Sequence, residues 1–351
     1  MHHVRSFAGP ARSHGSALRP AFSLLELIVA IATIVILVAM LLPAVQAVRE
    51  SSRRTSCAHK LRQLAGALLD HEAALRAFPP GATVSDVDAC TGCYDPWGEA
   101  RRTVTASDKK SGSGWILPLL PRIEEGGIAD AWDRSLNVKA NAQHASRNID
   151  LLYCPSRRDG IRVGRGDAAN LPDSTWRGGG TDYGACLGRG DGFVNSTADT
   201  ISGRHRFQAK SADESIKQGL FRANVPVAAG TVTDGLSNTI ALGEMQRLRP
   251  RSGATGDAAD VTTSQDGWAV GGVATLFTTS TDPDNGNPGG LNNGFFESPG
   301  SDHRDGANFA FADGSVRFLS EYIDARDNAS VFPLLGSISD GTVSSIAASG
   351  F

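Results

Sequence analysis

With 351 residues, the chain is long enough for one large or two small domains besides any membrane segment. Its 34 basic and 37 acidic side chains give a formal charge of -3, which excludes nucleic-acid binding by bulk charge. Forty glycines and sixteen prolines predict a β-rich, loop-rich body, and 7% aromatic residues leave little for gripping sugars by stacking.

Residues 1–21 carry Arg5, Arg12 and Arg19 and no acid. Ala21-Phe22-Ser23-Leu24-Leu25-Glu26 follows, and residues 27–45 are nineteen positions without a charge. About 20 apolar residues span a bilayer as a helix. A secretory signal peptide would have a shorter apolar core and a small-residue cleavage site after it. Here residues 40–45 run on into an Arg-rich helix. An ordinary membrane anchor leaves Glu26 unexplained, because a carboxylate near a membrane helix is costly and usually functional. Basic leader, Phe22, a carboxylate four residues on and then an apolar helix is the order of a type IV prepilin signal. Cleavage after Ala21 would move the formal charge from -3 to about -6, with 31 basic against 37 acidic side chains. Glu26 has two compatible readings. With Ser23 it forms a capping box, S-x-x-E, at a helix start and favours the helix dipole. It can also pair with the new amino terminus of Phe22 in a neighbouring subunit.

The first helix is predicted over 23–77, on the order of 80 Å long, with a kink at Pro43. Beyond the kink, Arg49, Glu50, Arg53, Arg54, Lys60 and Arg62 alternate with Leu61, Leu64, Leu68 and Leu75. That spacing gives an amphipathic half with one face for a globular head. Phe78-Pro79-Pro80-Gly81 ends the helix. Residues 82–110 are polar and irregular, 114–121 apolar and Pro-punctuated, and 122–132 a short helix. Strands are expected at 151–155, 181–186, 219–221, 239–244 and 267–270, with loops at 156–180 and 278–293. Residues 308–311 and 315–319 alternate as strands around Asp313-Gly314, the strongest hairpin signal in the chain. Phe309, Phe311, Val316 and Phe318 supply the hairpin's apolar contacts, on faces set by register. The architecture is therefore α+β, a long pilin-like N-terminal helix on a mainly antiparallel β head with long loops. Its divisions are a leader (1–21), a transmembrane or filament-core half-helix (22–45), an amphipathic half (46–80) and an extracytoplasmic head (81–351).

Five cysteines stand at 57, 90, 93, 154 and 186. Beyond a membrane they can pair. Cys90 and Cys93 form a C-x-x-C that reads as a local disulfide, half a zinc site or a redox pair. The chain lacks the second pair that zinc would need and the βαβ setting of a redox site. Cys154 with Cys186 is the expected longer bridge. His71-Glu72 opens like H-E-x-x-H, but Leu75 replaces the second histidine, leaving a surface His and Glu. Residues 282–287 resemble a calcium loop, yet Gly286 occupies the third ligand position. No G-x-S-x-G elbow, P-loop or dinucleotide fingerprint occurs. His303 with Asp302, Asp305 and Asp313 is the densest polar cluster. It reads either as a small-ligand, metal or assembly site, or as structure, with His303 fastening a loop onto the hairpin that Asp313-Gly314 turns. The structural reading is favoured, since a lone histidine makes a poor transition-metal site. No metal, cofactor or enzymatic activity is expected.

Together, residues 22–81, 115–121, Cys154-Pro155-Ser156, 233–239, Gly243-Glu244, and His303 with Asp313-Gly314 nine residues on resemble the planctomycete-type DUF1559 proteins, also called SBP_bac_10. The resemblance is nearly full-length. It implies a prepilin-type cleavage/methylation segment and a C-terminal H-X9-DG motif. It also implies a pilin-like or pseudopilin-like membrane-tethered surface protein rather than an enzyme; the solute-binding label is a name, not a mechanism. Ala21 departs from the glycine usual before the cleaved bond. The expected partners are a prepilin peptidase that cuts between Ala21 and Phe22 and methylates Phe22, the inner membrane, and other pilin-like subunits. The expected placement is single-pass in the inner membrane or on the cell surface, amino terminus cytoplasmic and head extracytoplasmic. The alternative is a tethered module that binds a solute or glycan.

Overall fold

The computed structural model describes residues 23–84, 93–102, 111–162, 167–190, 193–195, 205–208, 218–248, 264–283, 286–296 and 298–341. Ala21, Phe22 and Cys90 lie outside them, and Cys93 is described in its backbone alone. The chain divides into two compact units, Met1–Arg49 and Glu50–Phe351.

Helix α1 runs over Leu24–Leu75 and contains Pro43. It starts with a reciprocal capping box. Ser23 N donates to Glu26 Oε2 at 2.9 Å, and Glu26 N donates to Ser23 Oγ at 3.2 Å. In the first unit every large apolar side chain from Leu24 to Val48 is between 46% and 75% exposed. A helix that is apolar all round has no solvated face to offer. Leaving so many such side chains in water would cost on the order of tens of kcal/mol, so this half needs lipid or other apolar helices around it.

In the second unit the same helix changes character. Cys57, Leu61, Leu64, Ala65 and Leu68 form a buried stripe at helical spacing. The helix ends at Arg76, whose φ of 60° is left-handed, just before the Pro-Pro break. His71 is buried rather than on the surface, because its Nδ1 lies 3.0 Å from the Ala77 carbonyl oxygen and helps close this end.

Among the described residues the head has ten short strands: β1 (Ala82–Thr83), β2 (Cys93–Tyr94), β3 (Ser113–Gly114), β4 (Tyr183–Cys186), β5 (Phe193–Asn195), β6 (His205–Gln208), β7 (Ile240–Glu244), β8 (Leu276–Phe277), β9 (Gly306–Phe311) and β10 (Val316–Ser320). The main sheet has the order β10-β9-β7-β4-β8. All its pairs are antiparallel except β4 with β8, so the fold is α+β with a mixed sheet. Three expected strands are absent. Residues Asp150–Leu152 are a 3-10 turn, pinned by Lys60 Nζ, which donates to the carbonyls of Asp150 and Tyr153. Residues 219–221 and 267–270 have no strand partner beyond isolated bridges, and Val270 N closes a turn onto Gly267 O.

The sheet has a core on each face. Leu242, Ala310, Tyr183 and Ala185 belong to the cluster that includes the α1 stripe. Ile240, Phe309, Phe311 and Leu319 belong to a second cluster on the other side. One irregularity sets this partition. The β7–β9 register shifts between Ile240 and Leu242, so Ile240 pairs Phe311 while Leu242 pairs Ala310. A bulge of this kind re-aims every side chain after it. Glu244 therefore points toward α1 together with Asn308.

Gly314 turns the β9–β10 hairpin with φ +84°, and a Cβ there would meet Leu69 Cδ1 of α1 at 2.8 Å. Gly314→Ala should therefore destabilise the head by about 1–2 kcal/mol through the left-handed backbone, and Gly314→Asn by less, because Asn tolerates that region. Urea unfolding midpoints check this. Equal losses for the two variants would sink the backbone argument.

Candidate functional site

His303 sits just before β9, with its side chain fully enclosed. Nδ1 lies 2.6 Å from Glu50 Oε1 on α1. Nε2 lies 3.2 Å from Glu244 Oε1 at the end of β7 and 3.5 Å from Cys154 Sγ. Cys154 is bonded to Cys57 of α1, with Cα atoms 5.3 Å apart and a sequence separation of 97. This corrects the expected bridge, since Cys186 is a buried free thiol. Cys186 lies in the second cluster of the sheet and Cys154 in the first, so they do not meet. Burial pushes the Cys186 thiol up to about 12.

Each partner is held by its own contacts. Ser156 Oγ donates to Glu50, and Arg53 Nη2 pairs with the same carboxylate at 2.5 Å. Glu244 Oε2 accepts from Asn308 N at 2.6 Å and Asn308 Nδ2 at 3.0 Å. The Cys154 segment is fixed by Asp182, whose Oδ2 accepts from Cys154 N at 3.0 Å. Asp182 in turn pairs at 2.8 Å with Arg158, which bridges to Asp266 at 2.8 Å. These charges are buried but mutually satisfied, the condition under which burial of charge is tolerated. Asp266 is itself held below the usual carboxylate range: burial opposes this, but Arg158 and Arg247 outweigh it.

Four of the segments singled out in sequence thus converge on one place: the amphipathic helix through Glu50 and Cys57, Cys154-Pro155-Ser156, Gly243-Glu244, and His303. Asp313 and Gly314 do not join them. They turn the hairpin at the far end of β9, where Ser315 N donates to Asp313 Oδ1 at 2.9 Å. His303 and Gly314 nevertheless act on the same helix. The first grips Glu50, the second abuts Leu69, and between them the Arg54 guanidinium covers the Phe318 ring at 3.5 Å. Glu50 and Leu69 are about 28 Å apart along a helix rising 1.5 Å per residue. Strand β9 runs between the two contacts, so the segment from His303 to Gly314 clasps α1 at two points. Of the other cluster members, Asp302 pairs with Arg157 at 3.1 Å and Asp305 with Arg304 at 3.3 Å, so neither faces the ring.

Burial works against a charged His303, but the carboxylates of Glu244 and Glu50 at its two nitrogens outweigh it and raise its pKa above the ordinary histidine value. Burial likewise opposes charge on Glu50, while His303 and Arg53 outweigh it and lower the Glu50 pKa. A raised histidine contributes stability that is complete below about pH 6.5 and is lost as pH rises through the folded value. A lowered glutamate contributes stability present above about pH 4.3 and lost as pH falls through its folded value. The oxidised chain should therefore lose stability as pH rises above about 6.5. His303→Gln should be less stable at pH 6 and flatter above it. Urea midpoints against pH check this, and an unchanged slope in the variant would refute it. Reducing the disulfide without metal present should cost about 2–5 kcal/mol, read as a lower urea midpoint.

No curated protein matches the chain, and no solved structure does. The family model SBP_bac_10, described as "Protein of unknown function (DUF1559)", matches residues 46–326. That span is most of the chain and holds every residue of the cluster and of the clasp, whereas the uncharged half of α1 lies ahead of it. The chain belongs to the SBP_bac_10 (DUF1559) family.

Proposed function

We propose that this protein is a pilin-like or pseudopilin-like subunit, processed at its amino terminus, whose role is structural or in assembly rather than catalytic. Family membership and an N-terminal helix long and apolar enough to cross a membrane fit a membrane-anchored surface protein. The observation that carries the finer reading is the division within α1. Its first half exposes apolar side chains all round and opens on Glu26, whereas its second half is buried in the head. Such a helix can lie in lipid before assembly and among other such helices after it. In this reading a prepilin peptidase cuts between Ala21 and Phe22 in the cytoplasm and methylates Phe22. Glu26, which caps its own helix, then meets the next subunit's amino terminus.

A second reading rests on an open groove of about 470 Å³ beside the His303 loop, lined by Gln246, Arg247, Asn292, Asp302, Arg304 and Glu321. Its mixed charges suit a polar solute or glycan held outside the membrane. A raised melting temperature with a soluble sugar or amino acid would favour it.

The deciding measurement is the intact mass and N-terminal sequence of the protein from its native host. A terminus at methylated Phe22 is expected, and a retained leader would overturn the processing step. Glu26→Ala should then abolish surface assemblies while leaving the near-ultraviolet circular dichroism of the head unchanged. Assemblies that persist would remove the assembly role.

A further inference from the structure

Cys57 Sγ, Cys154 Sγ, Glu244 Oε1 and His303 Nε2 all lie within 4.8 Å of one another, and all four residues are buried. Two of these separations have a particular value. Nε2 to Cys154 Sγ is 3.5 Å and Nε2 to Glu244 Oε1 is 3.2 Å. With zinc bonds of about 2.3 Å to sulfur and about 2.0 Å to nitrogen or oxygen, the edges of a tetrahedron are about 3.5 Å for S–N and about 3.3 Å for N–O. Those two edges are therefore already set. The edge between the two sulfurs is not, because the pair is covalently joined.

A second observation points the same way. Glu244 Oε1 is buried and meets His303 Nε2 at 3.2 Å as an ion pair without hydrogen-bond geometry, while its sister oxygen takes two hydrogen bonds from Asn308. A buried acceptor held this firmly but poorly matched by its neighbour favours something better placed to fill the space it faces. The outer contacts also match a metal site. Histidine ligands commonly give their second nitrogen to a carboxylate, which fixes the ring and its tautomer, and His303 Nδ1 is held by Glu50 at 2.6 Å. Glu50 is the least enclosed of the five, with 29% of its side chain exposed. The approach for a solute is on that side.

We infer that the cluster is a redox-gated metal site: when the Cys57–Cys154 bond is reduced, Cys57, Cys154, Glu244 and His303 bind one zinc-type divalent cation. A dithiol donor would open it. One donor thiolate attacks a sulfur of the bridge and forms a mixed disulfide, and the second donor thiol resolves it. Two electrons and two protons pass to the Cys57–Cys154 pair, and the donor leaves as its own disulfide. Binding of the cation then releases the two thiol protons and the Nε2 proton of the His303 imidazolium to solvent, while Nδ1 keeps its proton toward Glu50. Two thiolates, one imidazole and one carboxylate form a closed four-ligand set of the structural kind. The cation replaces the disulfide as the link between α1 and the head, so either form ties the helix down. This inference goes beyond the assembly reading and stands whether or not the leader is cut.

The test uses the full-length chain in detergent, reduced with a water-soluble phosphine, which takes its oxygen from water and leaves as the oxide. Cobalt(II) serves as the probe. The expected result is one cobalt per chain, with thiolate-to-cobalt absorption in the near ultraviolet and tetrahedral bands in the visible. The unreduced chain should show neither. Cys90→Ser/Cys93→Ser should bind as the native sequence does. Cys57→Ser should weaken the thiolate band, Cys57→Ser/Cys154→Ser should abolish it, and His303→Ala should lose the tetrahedral spectrum. Glu50→Gln, which leaves all four ligands in place, should weaken binding about 10–100-fold. Near-ultraviolet circular dichroism of the reduced chain with cobalt shows whether the head stays folded. Any of three results overturns the proposal: no stoichiometric cobalt on a folded reduced chain, an unchanged spectrum in His303→Ala, or a reduced head that fails to hold its fold with cobalt present.

Discussion

The imidazole of His303 between two carboxylates is the contact on which the rest depends. Glu50 comes from the long helix and Glu244 from the middle of the main sheet, and the ring reaches both. A buried ion pair of this kind seldom adds much net stability, because desolvation consumes most of the attraction. Its effect is on geometry. The apolar contacts of Leu61, Leu64 and Leu68 are non-directional and by themselves do not fix one offset. A carboxylate that must meet a fixed nitrogen allows only one offset. The disulfide at Cys57, two turns further along the helix, enforces the same offset covalently. The turn at Gly314 presses on Leu69 and fixes the angle.

Much of this fold can be read in the sequence, for identifiable reasons. The 3.6-residue spacing of Leu61, Leu64 and Leu68 and the Pro-Pro break at 79–80 mark the helix without reference to anything distant. Asp313-Gly314 between two alternating runs marks the hairpin, because only a short turn with a left-handed residue can join them. Strand 151–155 fails because its apolar run answers to the distant Lys60, whose ammonium captures the carbonyls of Asp150 and Tyr153. The face that Glu244 takes depends on the bulge between Ile240 and Leu242, which no local pattern announces.

The site was legible only in pieces. Motif residues at 154–156, 243–244 and 303 stand out singly, but nothing in their spacing says that they meet. A lone histidine reads as structural until Cys57, Cys154 and Glu244 are seen around it. The one signal available was Glu50, an acid among the arginines 49, 53 and 54 at the point where the helix turns amphipathic. Cys57 was harder to place, since it sits on a helix whose apolar stripe accepts a cysteine as a small hydrophobe. The expected Cys154–Cys186 bridge failed because alternation along β4 sends Cys186 to the opposite face of the sheet from Ala185.

The sequence distances carry a further consequence. Glu50 and His303 are 253 residues apart, and Cys57 and Cys154 are 97 apart. The stripe on α1 is therefore synthesised early and covered late, after β4, β7 and β9 exist. Contacts of such long range form slowly, because loop-closure entropy is lost before they reward it. During that interval the second half of α1 exposes an apolar face, the condition that promotes aggregation. An apolar first half that partitions into a bilayer confines the waiting chain to a surface and keeps its helix apart from others in solution. The disulfide that finally closes over Cys57 joins the earliest part of the head to its middle, so it can lock the helix only once the Arg158–Asp182 frame has placed Cys154 beside it.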